Sequence, residues 1–206
     1  MTVTQVEALF GSKSKYRVYL DGQPAFVIYK GELSRYHLTE GGSLDEEVYQ
    51  RICQETLLRR AKLRAMHLLN QMGRTKAQLR KKLLDGGYPE EVVDDAMAYV
   101  SSFGYVNDLE YARSFILGRK HRKSRKEIFA SLSEKGVPAE QIEEAMSECY
   151  ETEDTEQAIR ELLRKKKYDP ETADWKETQK VSAYLARKGF RYEDIRRVIQ
   201  VSEWNA

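Results

Sequence analysis

Along most of the chain apolar residues recur three or four positions apart, and the pattern restarts after glycines. Leu79/Leu83, Ile128/Leu132 and Val181/Leu185 are i, i+4 pairs, and each is followed four residues later by a glycine: Gly87, Gly136 and Gly189. That spacing puts both members of a pair on one face of a helix. A second stripe opens beyond each glycine: Val93, Ala96 and Met97, then Ile142, Ala145 and Met146, then Ile195, Val198 and Ile199. Upstream of each pair, Ala65, Ala112 and Ala158 are each followed four positions on by a large apolar residue. The chain therefore writes one three-helix unit three times, with offsets of 49 residues from Gly87 to Gly136 and 53 from Gly136 to Gly189.

The polar residues punctuate the same units. "TKAQ" (75–78) and "SRKE" (124–127) are capping-box patterns at the starts of the second helices. The shared glycines read as residues just past a helix end, where positive φ costs little. Pro89 and Pro138 follow them and are expected at the first position of the third helices, with acids in the first turn facing the macrodipole. The third copy has Arg191 in place of the proline and four extra residues near "KKKYDPETADW". A single unit buries little apolar surface, so stacking on its neighbour is expected.

The first forty residues follow a different period. "KYRVYLDGQPAFVIYKG" is two β-rich runs around Asp21-Gly22, a hairpin pattern, and "TVTQVEALF" predicts a third strand. A capping box at Ser43 and Glu46 then predicts one long helix running to Met72. The reading is a mainly α fold: three tandem three-helix repeats forming an elongated, curved, solenoid-like body with a small N-terminal β extension. The boundaries fall at 1–43 for the extension, 44–106, 107–151 and 152–206 for the repeats.

Composition narrows the function. Lys and Arg number 35 against 33 Asp and Glu, so a polyanion partner must be met by local charge, not by the net +2. Cys53 and Cys149 lack metal or redox spacing and read as buried or half-buried thiols in a soluble protein of a reducing compartment. There is no apolar run long enough for a membrane span, and no phosphate-loop, dinucleotide, nucleophile-elbow or zinc-protease motif. His37, His67 and His121 have no metal-ligand spacing. No catalytic residue, metal or cofactor is expected. Paired acids such as Glu90/Glu91, Asp94/Asp95 and Glu143/Glu144 read as solvated faces of the third helices.

Bases gather where acids do not. Arg119, Lys120, Arg122, Lys123, Arg125 and Lys126 crowd the junction of the first and second helices of repeat two. Arg74, Lys76, Arg80 and Lys81 hold the matching place in repeat one. Aligned corners would make a basic stripe suited to phosphates. Few aromatics are interleaved with it, so base stacking is not indicated there. Tyr105 and Tyr111 are expected to pack one repeat on the next.

The run "FGYVNDLEYARSFI" (103–116), preceded by "RTKAQLRKKLLDGGYPEEVVDDAM" and followed by "KSRKEIFASLSEKGV", resembles the RecX family of bacterial recombination regulators. Gly104, Tyr105, Asp108 and Tyr111 fall where that family has them, alongside the repeat positions Gly87, Pro89, Gly136, Pro138 and Gly189. The resemblance implies a cytoplasmic, monomeric modulator of RecA that binds RecA and its filament on DNA. It further implies inhibition of strand exchange, ATP hydrolysis and co-protease activity. A module that binds nucleic acid on its own is the alternative from the residues alone, and an enzyme is the least supported class.

Overall fold

The fold is taken from a computed structural model that describes residues 1–200, so the end of the third repeat at 201–206 lies outside the described residues. The chain divides into two compact units, Met1–Asn107 and a second beginning at Asp108.

In the first unit, β1 (Val3–Ala8), β2 (Lys15–Leu20) and β3 (Gln23–Tyr29) form an antiparallel sheet in sequence order. Asp21 (φ 48°) and Gly22 (φ 82°) both take positive φ between β2 and β3, as the primed turns matching strand twist require. The sheet is followed by a short helix that the sequence pattern did not indicate, α1 (Lys30–Arg35). The expected long helix is present but not uniform. α2 (Glu46–Arg51) passes through a π-helical segment (Ile52–Leu57) into α3 (Leu58–Gln71). Its N-cap is Asp45 instead of Ser43, because Ser43 is held by a β-bridge to Thr2. α4 (Lys76–Leu84) and α5 (Glu90–Ser102) complete repeat one. Sheet and helices share one core, in which Phe26, Ile28, Ile52, Leu57, Leu79 and Leu83 are fully buried.

The second unit holds α6 (Asp108–Leu117), α7 (Arg125–Glu134) and α8 (Ala139–Cys149), then α9 (Thr152–Lys166), α10 (Trp175–Arg187) and α11 (Tyr192–Gln200). Each trio has its own core, the first around Ile116, Ile128, Leu132, Ile142 and Met146, the second around Ile159, Leu185, Phe190 and Ile195.

The repeated punctuation has a common geometry. Gly87, Gly136 and Gly189 have φ of 79°, 78° and 88°. After α7 the amide of Val137 donates back to Leu132 O at 3.1 Å, and after α10 that of Phe190 donates to Leu185 O at 3.2 Å. These six-residue closures satisfy carbonyls that the helix end would orphan. Pro89 and Pro138 are N-cap residues of α5 and α8, one position earlier than expected. Each accepts the first helical bond through its carbonyl, from Val93 at 2.9 Å and Ile142 at 3.0 Å.

Two of the glycine turns dock on other elements. A Cβ on Gly87 would lie 2.2 Å from Val27 Cγ2, and the amide of Val27 donates to Gly87 O at 2.9 Å, so β3 sits directly on the turn. A Cβ on Gly189 would lie 3.0 Å from Ser124 Oγ and from Lys126 Cβ. Here the Ser124 hydroxyl donates to Lys188 O at 2.6 Å, seating the third repeat's turn on the start of α7.

Candidate functional site

The N-caps of α4 and α7 set the corners where the basic residues lie. Thr75 and Gln78 make the reciprocal pair, at 3.1 Å from the Gln78 amide to the Thr75 hydroxyl and 3.3 Å from the Thr75 amide to the Gln78 carboxamide. Ser124 accepts from the amide of Glu127 at 3.1 Å, but the Glu127 carboxylate does not return the bond. It faces Lys123 at 3.0 Å and Lys188 at 3.7 Å instead.

Many of the predicted bases are held within the fold. Arg80 pairs with Asp94 on α5, and Arg125 reaches Glu143 on α8 at 2.7 Å. Asp94 and Glu143 are equivalent repeat positions, so the third-helix acids read as solvated are in part counter-ions for second-helix bases. Lys120 Nζ lies 3.1 Å from Asp154 Oδ2, and His121 Nε2 lies 2.9 Å from Asp154 Oδ1. Burial acts to raise the pKa of Asp154, but the Glu151 amide, Lys120 and His121 outweigh it and hold the carboxyl below its ordinary value. Arg119 stacks over Phe115, 3.8 Å from the ring centroid. Arg74 Nε donates to Leu68 O at 3.3 Å, and Lys76 is exposed on the first turn of α4.

Lys81, Arg122 and Lys126 are exposed and make no ion pair among the described residues. Arg122 does act at longer range, helping Arg164 to hold the Glu161 carboxyl low. Lys126 and Arg125 also border a cleft of about 660 Å³ between the second and third repeats, with Phe129, Tyr150, Phe190 and Arg191 on its walls. Its bases are matched by Glu143, Glu151 and Asp194, so it has no net preference for an anion.

The other predicted positions fall as follows. Asp108 is buried at the start of α6, and Tyr111 is half-buried with its ring 6.2 Å from that of Phe115. Gly104 has φ 69°, and Tyr105 is exposed, its ring stacked on Phe103. Cys53 is buried beside Glu91 and its thiol is pushed up to about 12, mainly by burial, while Cys149 is half-buried. No group of three or more His, Cys, Asp or Glu residues that could hold a metal ion occurs among the described residues. No described helix is long and apolar enough to cross a membrane.

Three family models match along the chain in order. The first three-helix domain of RecX matches residues 61–99, the second 107–146 and the third 153–199. This chain belongs to the RecX family. A Regulatory protein RecX from Caldanaerobacter subterraneus subsp. tengcongensis is 30% identical over 92% of this chain and 94% of its own. One from Clostridium acetobutylicum is 26% identical over 97% and 95%. A crystal structure of a regulatory protein RecX superposes with a TM-score of 0.60, covering 97% of this chain and 98% of that one at 24% identity. A RecX structure from Lactobacillus salivarius gives 0.58 over 70% of this chain and 95% of its own, at 21% identity. The RecX domain matches fall on the helix trios α3–α5, α6–α8 and α9–α11, each with the glycine turn between its second and third helices.

Proposed function

We propose that this chain is a non-catalytic regulator that binds RecA and the RecA–DNA filament and restrains recombinase, ATPase and co-protease activity. The observation that carries the reading is the ordered match of all three RecX three-helix domains along this chain, beside relatives named as regulatory proteins. It acts as a cytoplasmic monomer, and inhibition needs no chemistry. A protein that prefers one filament state shifts the population toward that state by its difference in affinity.

The contacts to DNA phosphates or to acidic protein come from two sets of bases, Arg74, Lys76, Arg80 and Lys81 in the first unit and Arg119, Lys120, Arg122, Lys123, Arg125 and Lys126 in the second. Within these sets, Lys81, Arg122 and Lys126 are the first choices, because their charges are not committed to ion pairs. An independent nucleic-acid-binding protein is less well supported. The third helices open with Glu90, Glu91 and Glu140, which phosphates would repel from a major groove.

The deciding experiment follows RecA's DNA-dependent ATPase while the full chain is titrated in at low and moderate salt. The parent inhibits, and inhibition weakens with salt by a slope of roughly −0.7 per single-strand phosphate contact. The variant Lys81→Glu/Arg122→Glu/Lys126→Glu melts like the parent, because exposed charges contribute little to stability, and inhibits poorly. A folded variant that inhibits as well as the parent at both salts would move the contact off these bases. No effect of the parent on RecA would overturn the reading itself.

A further inference from the structure

The C-terminal end of α5 carries an aromatic ladder that the basic residues above do not include. Tyr99, half-buried against the core, meets Phe103 edge-on with ring centroids 5.0 Å apart. Phe103 and Tyr105 lie nearly parallel, 18° between planes and 5.5 Å between centroids. Phe103 is 57% and Tyr105 53% exposed. Gly104 makes the arrangement: at φ 69° the chain reverses tightly enough to lay the second ring on the first. Nothing lies within 4 Å of where its Cβ would be, so the glycine serves the turn and not close packing.

Cations and apolar side chains extend the ladder onto α3. Lys62 Nζ sits 4.6 Å from the Tyr99 ring centroid. Arg59, Lys62, Leu63, Met66 and Tyr99 line a shallow groove of about 340 Å³, with Leu63 60% exposed. Neither Arg59 nor Lys62 pairs with a carboxylate among the described residues. The acids of α5 are at Glu90, Glu91, Asp94 and Asp95, before the ladder, and Asp94 is occupied by Arg80.

We propose that Phe103 and Tyr105 are a stacking platform for the bases of single-stranded nucleic acid, with Lys62 and Arg59 receiving its phosphates. An exposed pair of parallel rings offers a face to a base, and every base has a face to return. A duplex keeps those faces stacked internally, so the platform selects single strands. An apolar protein segment would cover the rings but leave two unpaired cations in the groove, whereas a polyanion satisfies both. The inference rests on the reading of the chain as a protein that works on DNA-bound RecA, and adds base contact to phosphate contact.

Fluorescence anisotropy on the full chain tests it, using labelled oligo-dT and an oligonucleotide of equal length whose residues are all abasic. Both carry the same phosphates, and only one carries bases. The parent should bind oligo-dT more tightly. Phe103→Leu/Tyr105→Leu, which keeps apolar bulk but removes the ring faces, should lose about tenfold on oligo-dT, equivalent to about 1.4 kcal/mol and within the range for one base on one ring. Its affinity for the abasic strand should not change, and Tyr105→Phe should bind as the parent does. Lys81→Glu/Arg122→Glu/Lys126→Glu should weaken both strands together. Equal parental affinity for the two strands, or no binding of either, overturns the platform, and so does a leucine variant that melts early but keeps its preference for bases. RecA ATPase inhibition by the parent in those cases would leave the proposed function standing.

Discussion

Gly87 is under two constraints that can be separated. Alanine there must adopt φ near 79°, where an L-residue is strained by roughly 1–2 kcal/mol. Its Cβ would also fall 2.2 Å from Val27 Cγ2 and 3.0 Å from Val27 Cβ. Carbon atoms rest at about 3.5–4.0 Å, so β3 or the turn must move by more than an ångström. The Val27 amide bond to Gly87 O at 2.9 Å resists that movement. Overpacking of this kind costs about 1–3 kcal/mol, which brings Gly87→Ala to about 2–5 kcal/mol in all. Gly104→Ala is the control, with φ 69° and nothing within 4 Å of its Cβ, so it should show the strain alone. Urea unfolding followed by far-UV circular dichroism would give both values. In a Val27→Ala background the gap between the two glycine variants should close by more than half, because the nearest offending carbon is gone. Equal losses at Gly87 and Gly104, or a gap indifferent to Val27, would refute direct seating of the sheet on the turn.

Three other outcomes follow from single residues. Ser124→Ala removes the α7 N-cap and the bond to Lys188 O, and should lower stability by about 1–2 kcal/mol in a denaturant titration. Asp154→Asn should destabilise at neutral pH. Because the folded carboxyl titrates below its unfolded value, this stabilisation is complete above about pH 4 and is lost as pH falls through the lower folded pKa. The difference in melting temperature between parent and variant should therefore shrink as the pH is taken below about 4. Cys149 should react with a thiol reagent in the native protein and Cys53 only after unfolding, since Cys53 is buried with its thiol raised to about 12; equal rates for both thiols would contradict that burial.

What the sequence made legible was what the chain encodes locally. The i, i+4 pairs, the glycine turns and the Thr75 and Ser124 caps each involve residues within one helix turn of one another, so a linear pattern carries them. The Asp21-Gly22 hairpin is legible for the same reason. Long-range seating was not. No pattern near Val27 points to Gly87, and none near Ser124 points to Lys188. The shift of the N-cap from Ser43 to Asp45 depends on a tertiary partner as well, the bridge from Ser43 to Thr2. Third-helix acids looked like a solvated face because Asp94 and Glu143 are far in sequence from Arg80 and Arg125. The spacing of Tyr99, Phe103 and Tyr105 is visible in the sequence, but nothing linear ties these rings to Lys62 and Arg59 on α3, about forty residues away.

The two docked glycine turns give the sheet a role beyond the core it shares with the first helices. In the third repeat the turn rests on the start of the second helix of the repeat before it; in the first repeat β3 rests on the turn. The sheet thus covers, in the first unit, the kind of glycine turn that a neighbouring helix covers in the second. Removing residues 1–43 would therefore uncover Gly87 and the apolar residues that Phe26 and Ile28 cover, leaving an adhesive face rather than merely a shorter protein.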